Sequence, residues 1–320
     1  MVNILVETDS PRLAYVAHVL FEKILGVPFS ITQDEVESAS SQIVINYRRT
    51  PLEGAFHIPP HYHLFESDIK PQDISLLEGE APLLFPHENP KADLFFDPFA
   101  SAFYLLTDYE KYAELILDRH QRYAQEKYPS GRWKLDQVPL VHVYAERLWV
   151  VLKAYHVDKL PQRKEREATA EITFDIDYPW KHRYKPFWVM WGGMAKDLLT
   201  GNWKRLGERW KANIQGNDPF YTFNLIMEKC LVSHTHFFFL IDHHAPEDSR
   251  FSYRQKPLRD VILDLTEAGY RFGIHPSFIS FQRRDVIFHE IEKLSQITDA
   301  SIYSSRQHYL RHRLPETYHH

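Results

Sequence analysis

Residues 236–242 read His-Phe-Phe-Phe-Leu-Ile-Asp, an apolar run with no alternation of polar and apolar positions. Such a run predicts a strand buried on both faces, as in a parallel sheet with helices on each side. The surrounding pattern agrees. Glu171 to Asp177 predicts a strand, and Asp218-Pro219 a capped helix to about Leu231. Pro257 starts a helix that aligns Leu258, Val261, Ile262 and Leu265 and stops at Gly269. Tyr270 to Ile274 predicts the next strand, Asp285 to about Ile297 a helix, and Ser301 to Ser304 a further strand. Strands spaced by helices predict βαβ units. In open parallel sheets and β/α barrels alike, functional residues gather at the carboxyl ends of the strands.

The first half follows another plan. Ile4 to Val6 opens as a strand. A helix with Ser10 as cap and Pro11 at its first position then carries Leu13, Val16, Ala17, Leu20, Phe21 and Ile24 to a stop at Gly26. Val27 to Thr32 and Gln42 to Tyr47 predict strands, Thr50 to Pro98 is irregular, and Phe99 to about Asp118 and Val138 to about Ala154 predict helices. With 320 residues, about two domains are expected. We place an N-terminal α/β domain at 1–160, a charged linker at 161–169 and a second α/β domain at 170–320.

The net charge of −5, from 38 Lys+Arg against 43 Asp+Glu, argues against nucleic-acid binding as the main role. The single cysteine, Cys230, permits neither an internal disulfide nor a Cys-type zinc site, and reads as a packed helix-end residue. No apolar run reaches the ~18 residues of a transmembrane helix. The start of the chain lacks the basic and apolar regions of a signal peptide, so a cytoplasmic location is expected. Nineteen histidines leave nitrogen and oxygen ligation of a metal open. The terminal His319 and His320 are given no role.

Period-two alternation puts Thr173, Asp175 and Asp177 on one strand face and Ile172, Phe174 and Ile176 on the other. Two neighbouring carboxylates repel each other. They either cap the loop to Tyr178-Pro179 or serve a site, and the strand alone leaves both open. His275 follows the next-but-one strand, and Arg306 and His308 follow the last. One histidine at a strand end is ordinarily structural, but here carboxylates and imidazoles fall at successive strand ends. A carboxylate with two imidazoles is a ligand set for a divalent metal that leaves positions for water and substrate.

These segments resemble the polysaccharide deacetylases, the NodB-homology domain of carbohydrate esterase family 4. That family has a Thr-Phe-Asp-Asp type motif, then His-Ser/Thr-x-x-His, then Arg-x-Pro-Tyr. Here they correspond to Thr173-Phe174-Asp175-Ile176-Asp177, His275-Pro276-Ser277-Phe278-Ile279 and Arg306-Gln307-His308-Tyr309, over roughly residues 170–318. Asp97-Pro98-Phe99, Asp108 to Tyr112 and Ser305 to Arg311 resemble a bacterial subgroup in which a domain of unknown function precedes the deacetylase-like one. The resemblance implies an incomplete or distorted β/α barrel of the NodB-like deacetylase fold. It implies Asp175 as general base, Arg306 as its partner, the Tyr309 backbone N–H as oxyanion donor, and Asp177 and His275 as metal ligands. The family's second histidine is Ile279 here, and we infer that His308, standing where the family has proline, supplies the lost nitrogen. The implied activity is metal-dependent removal of acetyl groups from an N-acetylated sugar or polysaccharide, with zinc, cobalt or another divalent ion. A family histidine that acts as general acid has no counterpart here, and the chain is expected to be a fragment or a degenerate member with an open barrel. The alternative is a catalytically degenerate carbohydrate-binding or assembly module.

Five of the seven tryptophans (Trp180, Trp188, Trp191, Trp203 and Trp210) lie among lysines and arginines between the first strand of the second domain and Pro219. Helical spacing over Ala195 to Leu206 favours an excursion that packs them onto the barrel. Sugar stacking at the site rim is the second reading, and net charge makes membrane or nucleic-acid contact the least favoured. His57, His61 and His63, among prolines, read as a surface loop rather than a metal site. His243 and His244 follow the apolar strand and are candidates to approach the site, and Asp242 is a candidate support for a ligating histidine.

Overall fold

The structure is a computed structural model that describes residues 1–39, 43–156, 160–164 and 167–319. Gln42, residues 165 and 166 of the expected linker, and His320 lie outside the described residues. The chain forms two compact units, Met1–Asp118 with Tyr123–Glu167, and Arg119–Arg122 with Ala168–His320.

The first unit is built on a parallel sheet of order β2-β1-β3-β4, from β1 (Val2–Val6), β2 (Phe29–Thr32), β3 (Ile43–Tyr47) and β4 (Phe56–His57). All five residues of β1 are buried, as suits a central strand. A short antiparallel pair, β5 (Leu76–Leu77) and β6 (Leu83–Leu84), stands apart. The helices are α1 (Pro11–Ala17), α2 (Glu35–Ala39), α3 (Pro98–Leu106), α4 (Tyr109–Ala113), α5 (Pro129–Arg132) and α6 (Leu140–Tyr155). Ser10 caps α1 by accepting from the Leu13 N–H. The expected single helix continues past Ala17 as a π-helix, His18–Leu25. Gly26 ends it at φ 67°, where an added Cβ would lie 2.9 Å from the Lys164 carbonyl oxygen.

Two expectations for this unit are corrected. The helix foreseen from Phe99 to Asp118 stops at Leu106, because Asp108 turns left-handed (φ 51°) before α4. The His57–His63 segment is not a surface loop, since His57 and His63 are buried. His63 stacks on Phe85, and burial pushes its imidazole down to about 3 and that of His61 to about 4. Asp97 fixes this region: Oδ1 accepts the Phe99 and Ala100 N–H groups at the start of α3, and Oδ2 accepts the Tyr47 hydroxyl (2.6 Å) and the His61 N–H (2.7 Å).

The second unit has a parallel sheet of order β7-β8-β9, from β7 (Ile172–Ile176), β8 (Thr235–Phe239) and β9 (Arg271–Ile274). Its helices are α7 (Phe187–Leu199), α8 (Trp203–Gln215), α9 (Phe223–Lys229), α10 (Lys256–Glu267), α11 (Arg284–Thr298) and α12 (Glu316–His319). The apolar run at 236–242 is the central strand β8 and the residues after it, with Phe237, Phe239, Leu240 and Ile241 essentially inaccessible. Phe237 and Phe239 pack into a core with Leu258, Ile262, Leu265 and Leu294 of the covering helices. Ile176, Phe239 and Ile274 stand in one row, so Asp177, Leu240 and His275 lead out of the sheet at one end.

The strand expected at Ser301–Ser304 does not form. Among the described residues only Ile274 is paired on that side, receiving Arg306 N–H at its carbonyl and donating to the Ser304 carbonyl, both at 3.0 Å. The Ser304 hydroxyl meets His236 Nε2 at 2.9 Å beside Gly273, where an added Cβ would meet Phe238 and lie 2.6 Å from Ser304 Oγ. The helix expected at Asp218 is also corrected. It begins only at Phe223, because the Asp218 carboxylate turns back to accept the N–H groups of Lys181, His182, Arg183 and Phe220 at 2.8–3.0 Å. Burial alone raises its pKa, but these four donors outweigh it and hold the carboxyl below the usual range.

Candidate metal centre

Asp177, His275 and His308 converge on one point. Asp177 Oδ1 lies 3.1 Å from His275 Nε2 and 3.4 Å from His308 Nδ1, and the two nitrogens are 2.9 Å apart. Both imidazoles are buried and Asp177 is half-exposed. Donors ~2.0–2.1 Å from a tetrahedral zinc stand about 3.3 Å from one another, so the triangle has the dimensions of three such ligands. Asp177 Oδ1 is buried yet accepts no aligned hydrogen bond, which leaves a lone pair for a cation. Burial pushes the Asp177 carboxyl up, and the His275 and His308 imidazoles more than reverse this, holding it below the ordinary range.

Main-chain placement brings the three together. Asp177 follows β7 and His275 follows β9, two residues beyond Asp175 and Gly273, which share a row with Phe238. His308 stands in a turn where Tyr309 (φ 59°) and Leu310 (φ 55°) are both left-handed. Consecutive left-handed non-glycine residues cost free energy and concentrate at functional sites. His308 Nε2 donates to the Glu247 carbonyl at 3.3 Å. This contact fixes the tautomer that leaves Nδ1 as ligand atom.

Arg306 lies beside the triad. Its guanidinium sits 4.7 Å from the Phe238 ring centre and donates to Asp175 Oδ1 at 2.9 Å. Asp175, Asp177, His275, His308 and Tyr309 line one cavity of about 330 Å³, with Tyr178, Glu247 and Gln307. All six residues singled out from sequence are therefore at this cavity or, for Arg306, bonded to one that is.

Other candidates fall elsewhere. His243 Nδ1 meets the Ser249 carbonyl (3.0 Å), and His244 Nε2 faces Asp242 (3.7 Å) and Glu290 (3.5 Å). Asp242 accepts from the His243 N–H and the Ser252 hydroxyl rather than supporting a ligand. The supporting group is the Glu247 carbonyl, which as main chain carries no side-chain signal. The Glu290 carboxylate was also missed: it accepts the Ser277 N–H at 3.1 Å and so tethers the loop after His275.

Of the five tryptophans only Trp180 is packed inward. Trp188, Trp191, Trp203 and Trp210 are exposed, which overturns the expectation that they pack on the sheet unit. The physical reason is the contact between α7 and α8. It is made by Asp197, bonded to Arg209 at 2.6 Å, and by Gly193 beneath the Arg209 guanidinium, so the aromatic faces turn outward.

Residues 2–156 match the model of a family described as "Family of unknown function (DUF7033)". That stretch ends before the triad. No curated protein and no solved structure matches the chain.

Proposed function

We propose that the second unit is a metal-dependent hydrolase that removes acetyl groups from an N-acetylated sugar, related to the polysaccharide deacetylases, and that its open sheet is part of a β/α barrel of that type. The observation that carries the reading is the convergence of Asp177, His275 and His308 within 3.4 Å of one another, in one cavity with the Arg306-bound Asp175. A divalent ion held by the triad, with zinc and cobalt both suited to these donors, would supply Lewis acidity and a water of lowered pKa. Asp175 lines the same cavity and takes the proton as general base. The Arg306 bond fixes the carboxylate's orientation and leaves Asp175 Oδ2 for the incoming proton. Tyr309 lines the cavity in a left-handed turn, and its main-chain N–H would stabilise a developing oxyanion there. We assign this activity to the cytoplasm, where a lone free thiol such as Cys230 is at home. Among the described residues no helix is long and apolar enough to cross a membrane.

A second reading rests on the 2.9 Å contact between His275 Nε2 and His308 Nδ1. A proton shared there closes the triad without a metal, as a degenerate carbohydrate-binding module requires. Elemental analysis of purified protein separates the two. The hydrolase reading expects about one divalent ion per chain, its loss in Asp177→Ala, and acetate release from N-acetylglucosamine oligomers. A metal-free chain that Asp177→Ala leaves unchanged would sink it.

A further inference from the structure

The hairpin of α7 and α8 is built inside out. In α7 the side chains of Phe187, Trp188, Trp191, Leu198 and Leu199 recur at positions i, i+1, i+4, i+11 and i+12, a single helical stripe, and all are exposed, Trp188 at 75% and Leu199 at 86%. In α8, Trp203, Trp210 and Ile214 form a second exposed stripe at i, i+7 and i+11. Between the helices lies a charge pair instead, with Asp197 only 2% exposed against Arg209. A helix pair in water ordinarily places these two sets the other way round. Exposed apolar stripes on this scale mark a surface that is covered in use.

The charge identifies the cover. Residues 181–211 hold eight Lys/Arg and two Asp/Glu, a net +6 within a chain of net −5. Both acids are already neutralised: Asp197 by Arg209 and Arg205, and Glu208 by Lys181 at 2.8 Å. Lys204 and Lys211 are exposed and flank the Trp203–Trp210 stripe. Tryptophan with leucine on one face, bordered by exposed basic side chains, fits the boundary between acyl chains and anionic headgroups. Each helix has 13 residues, or about 20 Å, too short for a hydrocarbon core of ~30 Å. The hairpin therefore lies on a bilayer rather than across it. Single-stranded nucleic acid would use the tryptophans and lysines but leaves Leu198, Leu199 and Ile214 without a role.

We propose that this hairpin is a peripheral anchor for an anionic lipid surface. The inference does not depend on the hydrolase reading. The test uses the full chain and vesicles of phosphatidylcholine alone or with about a third phosphatidylglycerol, read by flotation. The protein is expected to float with the anionic vesicles, to bind the neutral ones far less, and to lose most binding in 0.5 M salt. Each basic residue at such a surface contributes roughly fivefold in partitioning, so Lys204→Glu with Lys211→Glu lowers it more than tenfold. Trp188→Ser with Trp203→Ser does the same on the apolar side. All four positions are exposed, and an unchanged melting profile confirms the fold. No flotation, or variants that float like the parent, would overturn the proposal. So would a concentration-dependent dimer abolished by the tryptophan changes, or capture of single-stranded RNA, if either occurs without vesicle binding.

Discussion

Replacing Glu290 by Gln tests whether the loop carrying His275 rests on a neutral carboxyl. Glu290 is 1% exposed. One oxygen accepts the Ser277 N–H, and the other is buried 3.5 Å from His244 Nε2 without an aligned hydrogen bond. Burial, together with the nearby Asp248 and Asp242 charges, pushes its pKa from 4.5 up to about 7 against the Ser277 bonds. A carboxyl raised on folding binds its proton more tightly in the native state, so its contribution to stability is full below pH 4.5 and declines as pH rises toward 7. One pKa unit is worth about 1.4 kcal/mol, which places the cost to the parent protein near 3 kcal/mol at pH 8. Gln has the same shape and no charge to desolvate. The expected stability difference, variant minus parent, is near zero at pH 4.5 and rises to about 3 kcal/mol in the variant's favour by pH 8. Urea unfolding at half-unit pH steps with chelator present would measure it, following tryptophan emission because five of seven tryptophans lie in the second unit. A difference that stays flat with pH would refute the reasoning.

Three further outcomes are expected. Arg306→Lys keeps the charge but loses the planar fork, so turnover on N-acetylated oligomers falls more than substrate affinity does; a loss confined to KM would contradict the positioning of Asp175. Asp218→Ala removes an acceptor of four main-chain bonds and destabilises the second unit by about 3 kcal/mol near neutrality. Because that carboxyl is held below its usual range, the deficit shrinks as pH falls below about 4, and urea titrations at pH 3 and pH 7 would show it. Gly273→Ala places a methyl group against Phe238 and Ser304 and costs about 1–3 kcal/mol in thermal or urea unfolding.

The unbroken run from His236 to Asp242 was legible because burial on both faces leaves no polar positions, and β8 is that strand. Period two and the order of strands placed Asp177 and His275 at one end of the sheet, whereas His308 reaches them from a turn although the strand expected before it does not form. Helix ends were less legible wherever a side chain prefers a distant partner: Asp218 reads as a cap for the residues after it, yet bonds main-chain groups some 37 positions back. The segment at 301–304 has the composition of a strand, but pairing is decided by Gly273 and Ser304 in three dimensions. The outward direction of the tryptophans is not legible, because helical spacing shows which residues share a face and not which way the face turns. That depended on Asp197 finding Arg209 on the neighbouring helix.

The Asp218 clasp has a topological consequence. Its carboxylate holds the Lys181 N–H at 2.8 Å, so the chain leaves the sheet unit and returns to it at nearly the same place. Residues 184–217 are thus a side branch that the path from β7 to β8 does not need. A branch closed at its root can change length or sequence with little effect on the trunk, since the loop-closure cost grows only with the logarithm of its length. The tryptophan hairpin is in this sense exchangeable cargo, and a short linker between Arg183 and Asp218, which keeps the clasp, is a natural graft point for another.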